Sequence, residues 1–194
     1  VGLLRNTFGW KLVVPADPNQ TDRATRWMLA EPGCICLAMG RSKVPAVANG
    51  EGKALFAGDY AFEYGKAVKV RDGKDGSIFA LGALTASALE AARKMAEQGL
   101  DVAVWSVSCP LVVDESALAE ACATGAILTV EDHNVTSGMG SIIASTMAQK
   151  GLSGTRIKLL GVHRYGDSGK SSDVYAAMGL DTAGIVRAFT ELKK

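Results

Sequence analysis

Short apolar runs alternate along the chain with stretches whose apolar residues recur every three or four positions. "KLVVPAD" predicts a strand ending at a turn, with Asp17 starting the helix that follows. In "DPNQTDRATRWMLAEPG" the spacing puts Ala24, Trp27 and Met28 on one helical face. The unbroken apolar character of "CICLAMGR" predicts a strand buried on both sides. The pattern then loosens: "SKVPAVANGEGKALFAGDY" has little periodicity and reads as a connection, with a domain boundary near Gly50.

Beyond it, "YGKAVKVRDGKDGSIFALG" predicts two strands joined by a Gly/Asp turn. "LTASALEAARKMAEQG" predicts a helix, with Ser87 and Glu90 spaced as a capping box and Gly99 as the stop. A strand "DVAVWSVS" follows, then a helix "DESALAEACATG" capped by Asp114, and a strand "AILTVED". The chain closes with helix "GMGSIIASTMAQKG", strand "RIKLLGV" and helix "DTAGIVRAFTEL" capped by Asp181. Strands alternating with helices imply an α/β fold of three layers, a mainly parallel sheet between two layers of helices.

Composition narrows the function. A net charge of +1 leaves no electrostatic footprint for nucleic acid or a membrane surface. "VGLLRNTFGWK" lacks the basic head and apolar core of a signal peptide, and the start at Val1 rather than Met suggests a piece of something longer. Cys34, Cys36, Cys109 and Cys122 show no metal-binding spacing and read as small buried thiols in a reducing cytoplasm.

Four stretches could carry chemistry. Glu131, Asp132 and His133 end a strand, but alternation sends neighbours to opposite faces, and no local partner completes an acid–base pair. A structural or interface role is the expectation for them. "TSGMGS" lacks the third glycine and the lysine of phosphate-binding loops, so Gly138 and Gly140 are read as allowing close backbone packing. Gly58-Asp59-Tyr60 is too degenerate for a metal motif, and Ser168–Lys170 reads as a loop that could meet an anion. Arg41, near the carboxyl end of a strand, could hold a phosphate through two parallel hydrogen bonds, or be an ordinary surface arginine.

Taken together, "VVPADPNQTDRATRWML", "CICLAMGRSKVP", "LVVDESALAEACATGAILTVEDHNVTSGMGSIIAS" and "GVHRYGDSGKSSDVYAAMGLDTAGIVRAF" resemble the C-terminal third of transketolases, especially those encoded as two halves. The resemblance implies the tail of a pyrimidine-binding domain over residues 1–50 and a transketolase C-terminal domain over residues 51–194. It implies an enzyme that moves a two-carbon ketol unit between sugar phosphates with thiamine diphosphate and Mg²⁺. Both cofactors would be bound by parts outside this chain, in a companion N-terminal half. Among site residues it carries over only Arg41, for the substrate phosphate, as one half of an open cleft without an opposite wall. It assigns Glu131–His133 to subunit architecture in a homo-oligomer. The alternatives are a part of 1-deoxyxylulose-5-phosphate synthase, a 2-oxo-acid dehydrogenase β subunit, or a non-catalytic regulatory or assembly module.

Overall fold

The structure, a computed structural model, describes residues 1–194. The amino-terminal unit holds α1 (Gly2–Arg5), β1 (Trp10–Val13), α2 (Pro18–Ala30) and β2 (Cys34–Leu37). The remainder holds β3 (Ala67–Arg71), β4 (Ser77–Leu81), α3 (Leu84–Ala96), β5 (Ala103–Val107), α4 (Glu115–Ala123), β6 (Ala126–Asn134), α5 (Met139–Gln149), β7 (Arg156–Val162), α6 (Ser171–Ala177) and α7 (Thr182–Lys193). Strands β3 to β7 form one sheet in the order β3-β5-β4-β6-β7, parallel except for β3.

Period-two alternation sorts the core into two layers. Ile78 and Ala80 of β4, with Leu128 and Val130 of β6, meet Ala88, Ala92, Ile185 and Phe189 of α3 and α7. Their neighbours Phe79, Leu81 and Ile127 meet Leu118, Met139 and Ile143 of α4 and α5 on the other face. Every residue of β4 is buried, as expected of a central strand with helices on both sides. The three-layer expectation is borne out.

Three local expectations are corrected. The two strands around the Gly/Asp turn are not partners, because β5 lies between β3 and β4 and pairs antiparallel with β3. Placing the fully buried β5 inside the sheet leaves the charged β3, with Lys69 exposed, at the edge. The capping box also fails: α3 starts at Leu84 behind Ala83, which makes no side-chain cap, so Ser87 and Glu90 lie within the helix. Burial of Leu84, Thr85 and Ala88 extends the helix a turn beyond its polar signal. Strand β2 is not buried on both sides: it pairs only with β1, and its residues are exposed or half-buried.

Asp17, Asp114 and Asp181 each cap the helix expected of them. Asp17 Oδ1 accepts from Gln20 N at 2.7 Å, and its Oδ2 accepts from Val47 N at 2.8 Å. Gln20 in turn accepts from Ala16 N and donates to the Tyr60 hydroxyl. That buried knot fastens the connection to the amino-terminal unit, while fully buried Phe56 sinks into the main core. Farther on, Tyr64 stacks on Trp27 at 5.3 Å, and its hydroxyl accepts from Leu12 N. The stretch read as a loose connection is an aromatic strap.

Gly82, just past β4, fixes how the two units meet. Its φ of +53° favours glycine, and a Cβ there would lie 2.7 Å from Val14 Cγ1. Val14 N also donates to Ser108 O at 2.7 Å, so the amino-terminal unit seats directly on the carboxyl ends of β4 and β5.

Candidate functional site

The tripeptide at the end of β6 divides between two environments. Glu131 faces α5 and is fully buried. Its Oε2 accepts from Met139 N at 2.6 Å and its Oε1 from Gly140 N at 2.8 Å, so the carboxylate caps α5 from a neighbouring strand. Burial pushes the Glu131 pKa up against the opposing pull of those two donors. The glycines make the space: a Cβ on Gly138 would lie 2.0 Å from Glu131 Oε2, and one on Gly140 would lie 2.4 Å from Thr129 Oγ1. The close-packing reading of Gly138 and Gly140 holds, and the group they admit is Glu131. A strand-end acid followed seven and nine residues later by glycines was the signal for this pairing.

Asp132 turns the other way. Its Oδ2 accepts from the Tyr175 hydroxyl of α6 at 2.9 Å, and its Oδ1 lies 3.1 Å from His133 Nδ1. Burial would raise the Asp132 pKa, but His133 and Tyr175 outweigh it and hold the carboxyl below its ordinary range. Tyr175 is pushed up, by burial first and the facing carboxylate second. The register of β6 against β7 shifts between Val130 and Asn134, and this irregularity lets successive residues Asp132 and His133 line one cleft.

That cleft measures about 780 Å³. Arg41, Ser42 and Lys43, from the loop after β2, form one side, and Asp132, His133 and Tyr175 form the other. Ser42 Oγ and Ser171 Oγ, 2.5 Å apart, bridge the two sides. Arg41 is exposed and makes no salt bridge. The expectation that Arg41 would lack an opposite wall is therefore corrected: the wall is this chain's own β6 end and α6. Sequence reasoning missed it because Arg41 and Asp132 sit far apart along the chain.

The other candidates stay outside the cleft. Asp59 lies on an exposed loop, and Ser168–Lys170 form an exposed approach to α6. No group of three or more His, Cys, Asp or Glu side chains converges to hold a metal ion. The residues present therefore do not fit a diphosphate-bound Mg²⁺. No helix is long and apolar enough to cross a membrane.

A family model described as "Transketolase, C-terminal domain" matches residues 65–185. The chain belongs to that family. One subunit of an apulose-4-phosphate transketolase from Phocaeicola vulgatus is 29% identical over all of this chain and 60% of its own length. A 1-deoxy-D-xylulose-5-phosphate synthase from Geobacter sulfurreducens is 30% identical over 95% of this chain and 28% of its own length. Among solved structures, a split-gene transketolase described as an inactive β4 tetramer superposes with a TM-score of 0.89. It is 29% identical and covers all of this chain, which matches 62% of it. The chain thus spans at most about 60% of these relatives.

Proposed function

We propose that this chain forms the C-terminal part of a thiamine-diphosphate-dependent transketolase acting on sugar phosphates, divided near Gly50 into a pyrimidine-domain tail and the C-terminal domain. A companion part, on the same or a separate polypeptide, would hold thiamine diphosphate and Mg²⁺, and the assembly would be a homo-oligomer in the cytoplasm. The cofactor supplies the carbanion chemistry, and this chain supplies orientation and charge.

The observation that carries this reading is Arg41, exposed and without a salt bridge on the wall of a wide cleft. A guanidinium so placed can grip a phosphate with two parallel hydrogen bonds. In the assembled enzyme, Arg41→Ala should raise KM for phosphorylated donors on the order of tenfold to a hundredfold, the loss of about 1.5–3 kcal/mol in a charge-assisted contact. KM for hydroxypyruvate, which has no phosphate, should barely change. Equal losses with both donors would remove Arg41 from the phosphate site.

The likeness to 1-deoxyxylulose-5-phosphate synthases favours a second reading. A 1-deoxy product requires a two-carbon unit without a terminal hydroxyl, so turnover of pyruvate in place of a ketose phosphate would select it.

A further inference from the structure

The cleft occupies a special place in the sheet. Strand β4 has β5 on one side and β6 on the other. The chain therefore leaves the carboxyl end of β4 through α3 towards β5, and that of β6 through α5 towards β7. Helices α3 and α5 lie on opposite faces of the sheet. Where connections part in this way, a crevice opens outside the carboxyl ends of the strands, and ligands of parallel sheets settle there. In this chain the crevice is the Arg41 cleft: Ala83 and Ala86 line it from the β4 side, Asp132 and His133 from the β6 side.

Its chemistry is divided. Arg41 and Lys43 bring positive charge on the amino-terminal wall, and neither forms a salt bridge with the acids opposite. Asp132 is held in place by the Tyr175 hydroxyl. His133 Nδ1 is buried without a hydrogen bond: its approach to Asp132 Oδ1 has the distance of one but not the alignment. A ring nitrogen so left is a contact waiting for a donor or acceptor. The volume falls within the range of small-molecule pockets.

We propose that the crevice binds a phosphorylated polyol across both units, with the phosphate on Arg41 and Lys43 and the hydroxyls against Asp132 and His133. His133 is then a specificity-determining contact supplied by the C-terminal domain, and Tyr175 is a positioning residue acting through Asp132. The phosphate end rests on the Arg41 reading above, whereas the hydroxyl end stands on the crevice alone.

The chain has two histidines, His133 and exposed His163, so imidazole NMR reports on the crevice with an internal control. His163→Gln assigns the signals. Titration of the whole chain with ribose 5-phosphate should move the His133 signals saturably and leave those of His163 in place. Ribose alone and inorganic phosphate alone should bind about tenfold more weakly or worse, since each makes only part of the contacts. Tyr175→Phe should weaken ribose 5-phosphate severalfold without changing the response to inorganic phosphate, a split that general loosening would not produce. Silence at His133 under a large excess of ribose 5-phosphate overturns the crevice proposal and leaves the Arg41 kinetics untouched. Equal affinity for inorganic phosphate also overturns it, reducing the site to simple ion binding. A shift that persists undiminished in Arg41→Ala overturns the phosphate end, and with it the Arg41 reading.

Discussion

Gly138 and Glu131 fit together so closely that their substitutions should couple strongly. Gly138 has φ −84° and ψ −165°, which any residue adopts, so alanine there meets no backbone strain. The whole penalty of Gly138→Ala comes from its methyl, 2.0 Å from Glu131 Oε2 and 2.5 Å from Cδ. The carboxylate has little room to retreat, because the Gly161 backbone closes on its Cγ from the other side. Overpacking of this kind costs about 1–3 kcal/mol, which lowers Tm by roughly 2–12 °C in a chain of this size. Glu131→Ala leaves two buried N–H groups without acceptors, at about 1–3 kcal/mol each, partly offset because a buried charge is also removed. In that background the Gly138 methyl enters vacated space, and its penalty should fall below about 0.5 kcal/mol, a coupling of at least about 1 kcal/mol. Glu131→Gln, which keeps the side-chain volume, should leave the Gly138→Ala penalty intact. Urea unfolding followed by circular dichroism measures all five variants against the wild type. Additivity within about 0.5 kcal/mol would falsify the steric account.

Other outcomes follow from named contacts. Asp114 caps α4 and also accepts from Ala67 N. Burial works to raise its pKa, but hydrogen bonds from Ser116, Ala117 and Ala67 hold it below its ordinary value near 3.8. The native state thus favours the ionised form, and that stability is present above about pH 4 and lost as pH falls through the depressed value. Asp114→Asn should flatten the acid limb of urea midpoint against pH; an unchanged limb would assign it to other carboxylates. Asp17→Ala removes the α2 cap and the anchor of Val47 together and should cost about 2–4 kcal/mol by urea unfolding; a loss below about 1 kcal/mol would mean that the strap holds without it. Leu3, Phe8 and Leu29 are almost wholly exposed, so concentration-dependent light scattering should report self-association of the isolated chain, and a strictly monomeric profile would count against it. Calorimetry of the chain alone with thiamine diphosphate and Mg²⁺ should show no tight binding; stoichiometric micromolar binding would misplace the cofactor site.

Legibility in the sequence followed the range of the interaction. The helix caps at Asp17, Asp114 and Asp181 were readable because a cap and its amides lie within three residues. Strands β4 to β7 were readable because burial on both faces leaves a dense apolar run. The neighbour of β3 was not, since a local turn signal cannot show that a more apolar strand will insert between two successive ones. The α3 start was misread for a related reason: burial of Leu84 and Ala88 overrode a polar capping pattern. Phe56, Tyr60, Phe62 and Tyr64 show no period because each packs on a different distant partner. The wall facing Arg41 was the least readable of all, since the Ser42–Ser171 bridge closes a separation of 129 residues. The motif resemblance supplied Arg41 itself but not the cleft around it.

The pairing of β1 with β2 makes a sheet of two parallel strands. Such a ribbon is not self-sufficient in water. Its persistence is borrowed: Leu12 and Val14 lie in the same apolar cluster as Phe79, Leu81 and Val107, and Val14 N is satisfied by Ser108. Dependence therefore runs in one direction. Severed after Tyr64, residues 65–194 would retain five strands with helices on both faces and should remain cooperatively folded, although Leu81 and Val107 would be newly wetted. Residues 1–64 would lose their only large apolar support and should collapse into an unstructured, protease-sensitive peptide. In native-state hydrogen exchange, amides of β1 and β2 should accordingly open in a subglobal step well below the free energy that protects β4.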